Sequence, residues 1–133
     1  MFIYISIAAV IICAVFIVIL VALRREKFSA SDARLVVREW EAIRQKAHHD
    51  ARRAIFDADK LLDFLLKKKG FQGSLGDKLK QAHSYFTNLD AVWAAHKLRN
   101  RIAHEMGFEV TEGETQKALS AYKQGLWDLG IKF

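Results

Sequence analysis

The sequence has no proline, a single cysteine and, through its first 23 residues, no charged side chain at all. Without proline, nothing in the chain forbids continuous helix at any position. One cysteine, Cys13, excludes an internal disulfide framework and any cysteine-based zinc site within one chain. Gly-rich phosphate loops, nucleophile elbows and Walker patterns are also missing, which removes the commonest nucleotide-binding and acyl-transfer chemistries. All 21 Lys and Arg and all 15 Asp and Glu fall after residue 23, so the net charge of +6 belongs to the remainder.

The uncharged stretch is almost wholly Ile, Val, Ala, Phe and Leu, interrupted by Tyr4, Ser6 and Cys13. As a helix it is about 34 Å long, enough for a hydrocarbon core of about 30 Å. A soluble core helix could hardly bury so long a surface that is apolar on every side. A cleaved signal peptide would carry basic residues before a shorter apolar run, and this run has none. Arg24, Arg25 and Lys27 follow it like a stop-transfer flank, and Ile11 and Ile12 before Cys13 do not make a lipoprotein box. The expectation is an uncleaved signal-anchor over residues 1–24, with its partner the lipid bilayer. The positive flank places the C-terminal domain in the cytoplasm.

After a short juxtamembrane joint at 25–31, the apolar spacing predicts an all-α bundle over residues 32–133. A first amphipathic pattern carries Leu35, Val36, Trp40, Ile43 and Ala47. A second, which Asp50 can cap, carries Ala54, Ile55, Ala58, Leu61, Leu62, Leu65 and Leu66. His48-His49 marks a break between them, although one long helix over 32–69 is the alternative. Lys67-Lys68-Lys69 before Gly70 is a helix C-terminus: cations at the negative dipole end, then a residue free to take positive φ. Ser74 with Asp77 and Thr111 with Glu114 are capping boxes. The first opens a shorter helix with Leu75, Leu79, Ala82 and Phe86; the second opens a last helix with Ala118, Leu119, Tyr122, Leu126 and Leu129. Between them Asn88 caps a helix running to about Met106, ended by Gly107. The only strand-like triplet is Phe108-Glu109-Val110. The fold expected is thus a transmembrane helix followed by an antiparallel bundle of four or five helices.

The informative segment is the helix from Trp93 to Glu105. At about 100° per residue its apolar arc centres near Val92, Ala103 and Met106, and Arg99 falls only about 20° from Val92. His96 and Asn100 flank that arc, with His104 beyond Asn100. A cation on a core-facing side costs free energy unless something pairs it. Asp59 and Asp63, four apart on the second helix, are the candidate counter-charges.

Arg99-Asn100-Arg101-Ile102-Ala103-His104 resembles the signature of the HEPN superfamily, helical-bundle domains in which an arginine and a polar residue precede a histidine late in the bundle. The resemblance covers residues 32–133 as a fold and six residues as a motif. Many HEPN proteins are metal-independent ribonucleases whose two signature helices meet in a dimer. Carried over, His104 would be the acid or base at the ribose hydroxyl or the leaving oxygen. Arg99 would hold the scissile phosphate, Asn100 would orient the histidine or the phosphate, and His96 would support them. Arg99 and His104 point about 140° apart on one helix, so a shared target needs a second copy or a curling arginine. The alternative is that Arg99, Asn100, His96 and His104 form a network tying helices together, with Asp59 or Asp63 as anchor.

The function expected is therefore a membrane-anchored HEPN-like interaction module, with a membrane-tethered ribonuclease using Arg99 and His104 as the alternative. The partners implied are the bilayer, a second copy of the chain, RNA and a protein the sequence does not name; no cofactor or metal is implied. His48, His49, Asp50 and His83 include metal-ligand residue types without a third ligand at suitable spacing. Arg52-Arg53 and the lysine run read as solvated faces, and Trp40, Trp93 and Trp127 as core rather than base-stacking platforms. A lipid-curvature sensor fits poorly, because Glu39 and Glu41 interrupt the basic residues of the first amphipathic pattern.

Overall fold

A computed structural model describes residues 2–23 and 28–133, and within the first helix the side chains of Ile7 and of residues 9–19. It is all-helical: α1 (Phe2–Leu23), α2 (Ala30–Lys46), α3 (Ala51–Lys68), α4 (Leu75–Gln81), a 3₁₀ turn (His83–Tyr85), α5 (Leu89–His104) and α6 (Glu112–Asp128). No strand is present among the described residues, and Phe108-Glu109-Val110 is irregular.

Local chemistry sets most of the boundaries. Ser29 caps α2 by accepting from Asp32 N, so the helix starts at Ala30, two residues before the expected 32, and shortens the joint. Arg24, Arg25 and Lys27 lie outside the described residues. Residues 32–69 form two helices, not one: α2 ends at Lys46, and Asp50 caps α3 by accepting from Arg53 N. Both capping boxes are present, at Ser74/Asp77 and Thr111/Glu114. At the end of α3, Gly70 takes φ 93°, Gly70 N donates to Lys67 O, and Phe71 N donates to Leu66 O. That paired closure leaves few terminal carbonyls unsatisfied. The fourth helix is shorter than its apolar spacing suggests; Ala82 and Phe86 lie beyond it and still pack into the core.

Helix α3 is central, packing against α2, α4, α5 and α6. Its seven expected apolar residues are all buried, from Ala54 to Leu66. Ion pairs give the directions. Lys46–Asp57 joins the end of α2 to the start of α3, and Asp32–Lys68 (3.4 Å) joins their opposite ends, so the two are antiparallel. Arg52 reaches the Ile102 carbonyl (3.0 Å) and Asp59 reaches His96, which makes α5 antiparallel to α3. Asp59 also meets Tyr122, while Leu62 lies beside Gly125, so α6 runs parallel to α3. The core is Val36, Trp40 and Ile43 of α2, the α3 stripe, Leu75 and Leu79, Val92, Ala95 and Ile102, and Ala118, Tyr122 and Leu126.

Three expectations about individual side chains differ. Leu35 is half-buried, and Ala33 and Val37 pack on the core beside Val36 instead. Trp127 is 52% exposed, because its neighbour Leu126 takes the inward position one step round the helix. Met106 and Ala103, placed near the centre of the α5 arc, are both exposed: α5 stops at His104, Gly107 adopts φ 73°, and Ile102 is the covered residue of that last turn.

No described side chain of α1 belongs to the bundle core. Over the described residues no helix is long and apolar enough to cross a membrane. In α1 that description is confined to Ile7 and residues 9–19, and the latter run reaches only about 17 Å.

Gly125 lies at a close approach of α6 to its neighbours. A Cβ there would stand 3.3 Å from Phe86 Cε1, 3.5 Å from Val92 and 3.6 Å from Leu62. Gly125→Val should therefore destabilise the bundle by about 1–3 kcal/mol through overpacking. Gly113, with nothing near its Cβ position, should tolerate Gly113→Ala with a gain of about 0.4–1 kcal/mol. Urea unfolding of the two variants checks the contrast; a Gly125→Val chain as stable as the parent would refute this packing.

Candidate functional site

The polar cluster is organised by one carboxylate. Asp59 sits midway along α3, 5% exposed, among the leucines and alanines of the core stripe. A lone buried carboxylate would be strongly unfavourable, so its neighbours matter. Tyr122 of α6 donates its hydroxyl to Asp59 Oδ1 at 2.8 Å. His96 of α5 donates from Nδ1 to the same oxygen at 2.7 Å. Arg99, one turn further on, brings Nε to 3.4 Å from Asp59 Oδ2. That Nε is buried and has no hydrogen-bond partner among the described residues, so the contact is a charge pair without hydrogen-bond alignment.

The network continues outward. Asn100 donates its amide to His96 Nε2 at 3.4 Å, which leaves its oxygen to accept from Arg99 Nη1 at 3.2 Å. The Arg99 guanidinium lies over the Phe56 ring at 4.8 Å, a cation–π contact that covers its planar face. Trp93 meets the His96 ring edge-on. The Tyr122 phenol is pushed far above its usual range, first by burial and then by the adjacent Asp59 charge and hydrogen bond. It stays protonated and serves as a fixed donor.

Of the residues singled out from sequence, Asp59, His96, Arg99 and Asn100 come together. Asp63 does not join them: it faces the buried ammonium of Lys78 at 2.7 Å, closing α4 onto α3. His104 is also separate, exposed on the last turn of α5. The helix geometry explains this. Five residues turn the direction by about 140°, so Arg99 faces α3 while His104 faces outward.

Two participants were not evident from sequence. Tyr122 is a member of an ordinary apolar stripe, and only its depth beside Asp59 gives the hydroxyl a role. Arg52 donates to the Ile102 carbonyl (3.0 Å) and to the Phe108 carbonyl (2.6 Å), satisfying the end of α5 from across the bundle. Arg101, inside the six-residue motif, pairs with Glu105 at 3.2 Å and lies over Phe108 at 4.2 Å.

The open space lies elsewhere. A groove of about 750 Å³ runs over the packed seam of α5 and α6, with Ala91, Ala95, Leu98, Ala118 and Ala121 in its walls. It contains none of Asp59, His96, Arg99 or His104. Small residues three and four apart on both helices are the sequence signal for it. Among the described residues, no three His, Cys, Asp or Glu side chains converge as metal ligands. No family model, curated protein or solved structure matches the chain.

Asp59→Ala should cost about 3–5 kcal/mol, because it strands the Arg99 charge and removes the acceptor shared by His96 and Tyr122. Tyr122→Phe should cost about 1.5–3 kcal/mol, the worth of a hydrogen bond to a charged acceptor. His104→Ala should leave the unfolding midpoint within the ordinary range of surface changes, about 0.5 kcal/mol. Chemical unfolding of the three variants measures the order; a His104 effect equal to that of Asp59 would overturn it.

Proposed function

We propose that this chain is a single-pass membrane protein whose N-terminal helix carries a HEPN-like helical interaction module on the cytoplasmic side. The observation that carries the reading is α1. Its 22 residues hold no charge, and each of its described large apolar side chains, from Ile7 to Ile19, is 47–68% exposed. Such a surface in water is strongly unfavourable, and a bilayer is the solvent that relieves it. At full length the helix spans about 33 Å, which suits a hydrocarbon core of about 30 Å. Arg24, Arg25 and Lys27 set the orientation through the positive-inside rule.

The role as a module rather than an enzyme rests on how Arg99 is used. Its charge is committed to Asp59, its Nη1 to Asn100 and its face to Phe56. An arginine held in this way ties α5 to α3. The surface left for a partner is the small-residue groove between α5 and α6. The competing ribonuclease reading has one observation in its favour: His104 is exposed, as a general acid or base would need to be. It requires a second copy to bring an arginine to that histidine.

Two measurements separate the readings. The full chain should remain with membranes after alkaline carbonate extraction, and release into the supernatant would reject the anchor. In detergent with EDTA present, the folded chain should leave RNA intact. Cleavage that disappears in His104→Ala, with folding unchanged, would establish the ribonuclease instead.

A further inference from the structure

The bundle has two chemically different ends, and the chain enters at one of them. Phe28 is the first described residue after the juxtamembrane segment, and its ring lies 4.6 Å from Lys69 Nζ at the C-terminal end of α3. The five peptide links from Leu23 to Phe28 reach at most about 18 Å. Where α1 leaves the bilayer therefore limits how far the Lys69 end can stand from it.

At the α3–α4 corner that end is rich in lysine and aromatic rings, while Asp90 and Asp128 lie at the same end on α5 and α6. Lys69 Nζ also lies 5.2 Å from the Tyr85 ring, and Tyr85 packs edge-on against Phe71. Lys67, Lys68, Lys80 and His83 are exposed around them. Gln81 is hydrogen-bonded to Gln72 (2.7 Å), and the His83 ring to the Lys80 carbonyl (3.0 Å), which hold the end of α4 beside the end of α3. Lys68 pairs with Asp32, and Lys80 stands in the field of Asp77 on its own helix without ion-pair contact, whereas Lys67 forms no ion pair among the described residues. The opposite end lies about 26 Å away along α3, and there the arginines are engaged. Arg52 holds carbonyls, Arg53 pairs with Asp57, and Arg101 pairs with Glu105.

We infer that the Lys67/Lys80 end is a docking surface for the anionic headgroups of the bilayer that holds α1. The bundle then stands with α3 pointing its C-terminus at the membrane, and with residues 99–104 directed so that His104 lies at the far end. This rests on the reading of α1 as an anchor. The lysines at the end of α3 also balance its dipole, and of the three it is the exposed Lys67 that this role leaves open to a further anionic partner. Each exposed lysine near an anionic surface is worth about fivefold in the docking equilibrium.

The test uses the full chain with Cys13→Ser, in bilayer nanodiscs of phosphatidylcholine alone or with about one third phosphatidylserine. A fluorophore is placed at Ser84→Cys, beside Tyr85, or at Ala103→Cys on the far end, and quencher-labelled headgroups report proximity. Docking predicts that phosphatidylserine increases quenching at position 84 and not at 103. The combined Lys67→Glu and Lys80→Glu change should lower the docking equilibrium about 25-fold or more, and raised salt should do the same to the unsubstituted chain. Equal quenching at 84 in both lipids, or a gain that survives charge reversal and salt, overturns the inference. So does binding of polyuridylate that is lost in the reversed variant while quenching is unchanged, which would make the surface one for RNA. Carbonate extraction of the same nanodisc lipids as vesicles shows separately whether α1 inserts. A chain that fails there loses the anchor and the docking surface together, whereas a chain that passes and fails the quenching test loses the docking surface alone.

Discussion

A single buried carboxylate holds three helices of this bundle in register. Asp59 receives a phenol from α6, an imidazole from α5 and the charge of an arginine one turn along α5. Burying such an ion is unfavourable by several kcal/mol before its partners are counted, so its place in the core depends on all three contacts. Their directionality does what the leucines around them cannot: apolar packing tolerates sliding, whereas hydrogen bonds at 2.7 and 2.8 Å do not. The rotation of α5 about its own axis follows from the spacing of His96 and Arg99. The close approach of α6 at Gly125, one turn from Tyr122, follows from the same anchoring.

The same geometry decides how the six-residue motif divides. Residues 99–104 look like one unit in sequence, but in space they serve different surroundings. Arg99 and Asn100 extend the Asp59 network, Ile102 is core, Arg101 braces Phe108 and Glu105, and His104 is left to solvent. Meanwhile the accessible groove opens on the seam with α6, away from the polar cluster. A polar constellation and a cavity are usually sought in the same place; here they are on different faces of α5.

Much of the fold was legible because its signals are local. The α3 stripe, both capping boxes, the Asp50 and Asn88 caps and the stop at Gly70 each depend on residues within a turn or two. The need of Arg99 for a counter-charge was legible too, since helical spacing placed it among apolar positions. What could not be read is long-range. Choosing Asp59 over Asp63 depends on Lys78 arriving from α4. The end of α5 at His104, which removes Met106 from the apolar arc, is completed by Arg52 from fifty residues earlier. Trp127 and Leu126 are equally apolar neighbours, and only the position of α6 against α3 selects which one is covered.

Helix α2 stands outside the Asp59 network. Its core face of Val36, Trp40 and Ile43 lies against α3, with charge pairs at either end of the seam. It is also the covalent link between α1 and everything that follows. Any force transmitted along the backbone from α1 must pass through it, meeting first the Phe28–Lys69 contact and the Asp32–Lys68 pair. These are half-exposed, salt-screened interactions of small individual worth, while the α3–α5–α6 unit behind them shares a cooperative polar lock. Tension arriving from α1 is therefore borne first by these two contacts and then by the α2–α3 seam, before it reaches the helices locked through Asp59.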